Sequence, residues 1–182
     1  MNGPFSDLVQ DICFSYKINK IRKFIIPIYL FRSKGIRILF YYRISNYLIS
    51  NGFRFFAGYF YRRACNLGAD INPSALLCPG VSIPHPMCIV IGHGVLVGAR
   101  AKILQGVTIG GASGKRRSDG SSQPRIGDDV VIGAGAKLLG PIDIGDRVRI
   151  GANSVVVKDV KSDSVIAGVP ARYITKVNPN VE

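Results

Sequence analysis

From Ile126 onward an aliphatic side chain returns at every sixth position, through Ile132, Leu138, Ile144 and Ile150 to Val156, and the same spacing runs upstream through Ile91, Val97, Ile103 and Ile109. A period of six fits neither the 3.6-residue turn of a helix nor the two-residue alternation of a strand. Glycine follows four of the downstream positions, at Gly127, Gly133, Gly145 and Gly151. A small or β-branched residue fills the fifth place of each hexad, as in Val95, Ala101, Val107, Val130, Ala136, Ile142, Val148, Ser154 and Val160. The pattern predicts one inward aliphatic side chain per hexad, a bend at the glycine or small residue after it, and polar positions facing water. Three hexads then close one triangular coil. Stacked coils pair their backbone groups with the coils above and below, so a continuous aliphatic core builds up along the axis. A β-sandwich with regular turns has no reason to hold one register for so long.

The register fails twice. The earlier hexads Ile71, Leu77 and Ile83 join Ile91 only if two residues are inserted, and the segment Pro84, His85, Pro86 stands where position 85 should be aliphatic. Two prolines remove two ladder donors and fix the backbone around the histidine, so a local bulge is expected there, aiming His85 outward. The second break follows Ile109. Eleven extra residues rich in Gly, Ser and charge precede the restart at Ile126, predicting a mobile loop over residues 110–125. Such a loop is either a solvated linker or an arm that closes over a substrate or reaches a neighbouring subunit.

Upstream of the repeats the composition changes. The net charge of the whole chain is +13, and the stretch before the repeats holds eleven Lys or Arg against only Asp7 and Asp11, with most of the aromatic residues. It reads as two or three basic amphipathic helices over Ser6 to Arg22, Ile36 to Ser50 and Phe53 to Asn66, with Pro27 and Gly52 as breaks. Three roles are open for it: a helical cap on the first coil and on neighbouring subunits, a peripheral anchor on an anionic membrane surface, or a nucleic-acid site. The last lacks any recognition motif, and no nucleic-acid partner is expected. The longest uncharged apolar stretches, Phe24 to Phe31 and Ile44 to Phe53, are shorter than the ~20 residues of a membrane crossing. With Asp7 and Asp11 ahead of any apolar run, no cleavable signal is read, and a cytoplasmic location is expected. Cys13, Cys65, Cys78 and Cys88 show no C-x-x-C spacing and read as reduced packing residues. The chain thus divides into a basic, aromatic helical region (1–65), a repeat domain (66–176) with its protruding loop, and a short tail (177–182).

The repeats resemble those of the hexapeptide-repeat acyltransferases. The resemblance implies a mainly β fold, a left-handed parallel β-helix with a short N-terminal helical region, assembled as a homotrimer or a dimer of trimers. Its handedness comes from the resemblance alone, since ordinary crossovers are right-handed. Within that superfamily, HPMCIVIGHGVLVGARAKILQGVTIGG, then PRIGDDVVIGAGAKLLG after the loop, and the ending IAGVPAR from Ile166 to Arg172, look like the serine O-acetyltransferases and their relatives. The resemblance implies acetyl-CoA as cosubstrate, with no metal. It makes His85 the general base on an acceptor hydroxyl, and Asp70, in GADINPSA, the carboxylate that orients it. Gly111, Ala134 and Ala152 match the small residues lining the thioester arm between subunits, and Lys158, Arg172 or Lys176 would meet the nucleotide phosphates. An imidazole suits the proton transfer that thioester-to-alcohol acyl transfer requires near neutral pH.

This chain departs from the serine-acetylating pattern at Pro84, where those enzymes carry Asp, and at Ser122 and Gln123, where they carry Arg-His. Its ending Val181-Glu182 lacks the isoleucine that docks into cysteine synthase. These departures favour an acceptor other than serine, with a sugar or polysaccharide precursor as the expected substrate and serine as the alternative. Gln123 and His93 are then the candidate acceptor contacts. Zinc hydration chemistry needs three histidines and the chain has two, His85 and His93. A non-catalytic trimeric scaffold is the remaining alternative, and the pairing of Asp70 with His85 argues against it.

Overall fold

The computed structural model describes residues 3–112, 114 and 116–177, so Val181 and Glu182 lie outside the described residues. The hexads form short strands on three parallel faces. The first sheet stacks β1 (Ala69–Ile71), β3 (Ile89–Ile91), β6 (Thr108–Gly110), β9 (Lys137–Leu139) and β12 (Val155–Val156). The second stacks β2 (Leu76–Leu77), β4 (Leu96–Val97), β7 (Arg125–Ile126) and β10 (Asp143–Ile144). The third holds β5 (Lys102–Ile103), β8 (Val131–Ile132), β11 (Arg149–Ile150) and β13 (Ser164–Gly168), and ends in β14 (Ala171–Lys176), which turns back antiparallel on β13. The coils wind as a left-handed parallel β-helix, with register such as Val90 to Thr108 and Ile91 to Ile109.

Two rows of side chains point inward, rather than one. Besides the sixth-position aliphatics, fifth-position residues from Val95 to Ser154 are buried, and only Val160 at the far end is half-buried. The bend also falls elsewhere than the periodicity predicts. Left-handed φ values occur three residues after the inward aliphatic, at Gly94, Arg100, Gly106, Asp129, Gly135, Arg147 and Asn153. The glycine directly after the aliphatic serves close stacking instead. A Cβ added at Gly133 would stand 2.6 Å from the Ala152 nitrogen and 2.7 Å from the Ile150 oxygen in the coil above. Where the bend residues are charged they stack into a ladder, with Arg100 bidentate to Asp129 (2.7 and 2.6 Å) and Arg147 bidentate to Asp163 (2.6 and 2.9 Å).

Four α-helices among the described residues precede the coils: α1 (Pro4–Ser15), α2 (Ile26–Arg32), α3 (Lys34–Ser50) and α4 (Arg54–Cys65). The first ends well before the expected Arg22, because Lys17 adopts a left-handed φ of 53° and the chain closes a Schellman turn, with Ile18 N donating to Cys13 O at 3.0 Å. Pro27 does not break a helix. It occupies the first turn of α2, where a missing N–H costs nothing. The Ser33 side chain caps α3 by accepting from Ile36 N at 3.2 Å. The cysteines are free; Cys13 packs against the core as expected, Cys65 is half-buried, and Cys78 and Cys88 are exposed on corners of the coil instead of packed. Among the described residues no helix is long and apolar enough to cross a membrane.

A buried ion pair docks these helices onto the coil. Asp11 of α1 is fully buried and accepts from Arg43 of α3 at 3.1 and 3.0 Å, and from the amides of Gly80 and Val81 at 2.9 and 3.0 Å. Arg43 in turn donates to the carbonyls of Leu77 and Cys78. Burial alone would pull the guanidinium pKa down, but the Asp11 carboxylate against it more than offsets this and raises it. The Tyr42 hydroxyl donates to Ala75 O at 2.7 Å and accepts from Leu77 N at 3.1 Å. Both ends of β2 are therefore held by α3.

Candidate active site

The bulge between Ile83 and Ile91 is a tight turn on the corner joining the third sheet to the first. Met87 N donates to His85 O at 2.9 Å, and Met87 O accepts from Gly106 N in the next coil at 2.8 Å. Glycines make room for the turn on two further sides. A Cβ at Gly68 would come within 3.2 Å of Pro86 O, and one at Gly35, in the first turn of α3, would collide with Ile83 O. Pro86 is buried while Pro84 and His85 are exposed. The turn is thus wedged between α3, the approach to β1 and the coil beyond, with its imidazole left outside. Among the described residues His85 makes no side-chain hydrogen bond, so no protein group yet fixes its ring.

Asp70 lies at the centre of β1, outward on the first sheet and paired in register with Val90. Its Oδ1 accepts from the Tyr61 hydroxyl of α4 at 2.7 Å, and no bond joins it to His85 among the described residues. The hydrogen bond to Asp70, with some burial, pushes the Tyr61 pKa up, so the phenol stays a donor. The sequence offered no sign of this tyrosine. It sits in a helix before the repeats begin, and only the packing of α4 beside β1 brings it to the carboxylate.

The remaining candidates fall on separate edges of the prism. Ala134 and Ala152 stack below His85 on the third-to-first edge, through Gly106 N to Met87 O, Gly135 N to Gln105 O and Asn153 N to Ala134 O, each at 2.8 Å. The signal for this was in the sequence: Ala134 and Ala152 are eighteen residues, one full coil, apart. Gly111, His93 and Gln123 share the first-to-second edge instead. The Gln123 side chain packs against Gly92, Gly94 and Gly111, flanking His93, which is exposed. Gln123 Oε1 is buried without a hydrogen-bond partner, while Nε2 reaches Ser122 Oγ at 3.2 Å. The described part of the loop folds back instead of projecting freely. Arg117 bonds Gln123 O and Asp143 Oδ1, each at 2.7 Å, and Asp119 pairs with Arg125.

At the far end of the coil Lys158, Arg172 and Lys176, which the sequence offered only as alternatives, line one cavity of about 490 Å³ with Val156, Ile166 and Tyr173. β12, which leads into Lys158, is three strand spacings from β3, or about 14 Å along the axis from the His85 turn. Among the described residues no three His, Cys, Asp or Glu side chains converge as a metal set.

A coil of six-residue repeats interrupted to display one histidine is the hexapeptide-repeat architecture, and two family models match its repeats. The family described as "Bacterial transferase hexapeptide (six repeats)" matches residues 123–158, and "Hexapeptide repeat of succinyl-transferase" matches 88–112. The serine acetyltransferase of Helicobacter pylori is 42% identical over 143 residues, covering 78% of this chain and 82% of that protein. The crystal structure of Neisseria gonorrhoeae serine acetyltransferase in complex with serine superposes with a TM-score of 0.80 at 34% identity, covering 93% of this chain and 68% of that one. A serine acetyltransferase in complex with CoA gives 0.78 at 32% identity, with 93% and 68% covered. The chain belongs to the serine acetyltransferase family. It spans about half the length of several other curated relatives it matches.

Proposed function

We propose that this protein is an acetyl-CoA-dependent O-acetyltransferase and that its first acceptor is the hydroxyl of serine. The presentation of His85, exposed on a braced turn above Ala134 and Ala152, carries the reading. Relatives solved with CoA and with serine support it, and they favour serine over the sugar acceptor expected from the sequence alone. His85 takes the proton of the acceptor hydroxyl as its oxygen attacks the thioester carbonyl. The imidazolium then returns that proton to the departing CoA thiolate, so the histidine ends each turnover unchanged. Asp70 and Tyr61 supply a fixed dipole and charge beside the site. The cavity lined by Lys158, Arg172 and Lys176 would hold the phosphates, at a distance a pantetheine arm can span.

One chain leaves His85 and Gln123 on different edges. A closed threefold ring in which one edge meets the other edge of the next copy would bring them into one cleft. The expected mass by light scattering is therefore three chains. Gln123 Oε1 is buried without a partner, and turned out of its seat against Gly92 and Gly94 it would accept from a serine ammonium. It equally suits a neutral polyol, and with Ser122 and Pro84 also uncharged, a sugar hydroxyl is the second reading.

An acceptor panel separates them, followed by loss of thioester absorbance, because the exposed Cys78 and Cys88 would disturb a thiol titration. L-Serine is expected to be acetylated at least about tenfold faster than any sugar, the scale of a missing hydrogen-bond partner. Turnover on sugars alone would establish the second reading, and none on either would remove the enzyme. Tyr61→Phe is expected to lower kcat by about ten- to a hundredfold, since a hydrogen bond to a charged group is worth ~1.5–3 kcal/mol, with the KM for acetyl-CoA unchanged. An unchanged kcat and pH profile would exclude Tyr61 as a positioning residue.

A further inference from the structure

We propose that the outer faces of α2 and α4 seat this protein on an anionic lipid surface. In α4, Phe55, Phe56, Tyr59, Arg62 and Arg63 follow i, i+1, i+4, i+7, i+8 and so share one face, and all are exposed, Phe55 at 80%. The buried residues of that helix are the small Ala57 and Ala64. Ahead of and within α2, Phe24, Ile28 and Phe31 repeat the i, i+4, i+7 spacing with exposures of 73%, 56% and 86%. A surface helix turns its apolar stripe to the core and its polar side to water. Here the rings face outward.

A ladder of rings runs from α1 through α3 to Tyr59 on the α4 face, and the α2 rings stand apart from it. Centroids run from Phe5 to Phe40 (6.4 Å), to Tyr41 (5.5 Å), to Phe60 (6.3 Å) and to Tyr59 (5.3 Å), and Arg63 lies over the Tyr59 ring at 5.8 Å. Charge selects the occupant. Arg32, Lys34, Arg54, Arg62 and Arg63 are exposed in this region, whereas its two carboxylates, Asp7 and Asp11, both face Arg43 beneath the helices. A second copy of the same face would bring like charges together. A single-stranded nucleic acid would match the charge and stack on the rings, but Ile28 offers it no stacking face and no recognition motif accompanies the charge. A headgroup layer takes both, with arginines at the phosphates and rings at the acyl boundary, and with no spanning helix among the described residues these faces lie on it.

This inference is independent of the acceptor. Its test is sedimentation of the intact chain with vesicles of phosphatidylcholine alone and of phosphatidylcholine mixed with phosphatidylglycerol, at low and high salt. Binding to the mixed vesicles only, weakened by salt, is expected. Removing each arginine should cost about fivefold, from ~1 kcal/mol per charge, so Arg62→Ser with Arg63→Ser loses about 25-fold. Phe31→Ser and Phe55→Ser should each lose about tenfold or more, with melting temperature and mass by light scattering unchanged. Three outcomes overturn the proposal: no sedimentation with anionic vesicles at low salt, phenylalanine variants that bind as the parent does, or a changed mass in those variants, which would make the stripe an interface between copies.

Discussion

His85→Ala is expected to reduce kcat for acetyl transfer by about 10² to 10⁴, the usual contribution of a positioned general base, while the melting temperature stays within about 2 °C of the parent. The second half of that expectation follows from the turn. His85 is exposed and contributes its carbonyl, not its imidazole, to the brace with Met87, and the neighbouring contacts are made by Pro86, Met87 and the glycines. Steady-state kinetics and thermal unfolding measured on the same preparation check both halves. A variant that keeps more than about a tenth of the activity would remove His85 from proton transfer.

Removing one partner of the Asp11–Arg43 pair is expected to have the largest effect on stability, about 3–5 kcal/mol for Arg43→Met or Asp11→Leu, measured by chemical denaturation at fixed chain concentration. Arg43→Met strands Asp11 between α1, α3 and the first coil, and Asp11→Leu leaves the buried guanidinium only the half-buried Asp7 at 3.7 Å. In many proteins an apolar pair substitutes for a buried ion pair with little loss. Here it should not. Asp11 also accepts from the Gly80 and Val81 amides, and Arg43 donates to the Leu77 and Cys78 carbonyls. The double variant leaves these groups without partners, at ~1–3 kcal/mol for each one that stays dry, so it should remain destabilised by at least about 2 kcal/mol. Full recovery in the double variant would show that water satisfies the corner.

Much of the coil was legible because its code is local. Each inward aliphatic, and each glycine beside it, answers to a neighbour one coil away, so the same requirement recurs every six residues. In two respects the periodicity misleads. It shows one inward row where there are two, and it places the bends at Gly127 and Gly133, whereas the left-handed positions are held as readily by Arg100, Asp129 and Arg147. Sequence patterns show where small residues occur, not whether close approach or backbone conformation demands them. The helical region was less legible. Lys17 ends α1 in a conformation usually reserved for glycine, and a single proline sits equally well at a break or in a first turn.

For the site, the departures from the period were informative on their own. They located His85, and they showed that Gln123 closes the second insertion. The sequence by itself therefore determined the three-sided coil and the point where an exposed imidazole leaves it, because both are fixed by short-range stacking repeated along the chain. Only the tertiary structure decided that Arg43, one of eleven similar cations upstream, is buried on Asp11, that Tyr61 holds Asp70, that three distant cations share one cavity, and that His85 and Gln123 stand on different edges. Those facts depend on how separate elements dock, across nine residues for Tyr61 and Asp70 and 32 for Arg43 and Asp11. A residue's type does not say whether docking turns it toward the core, the site or the solvent.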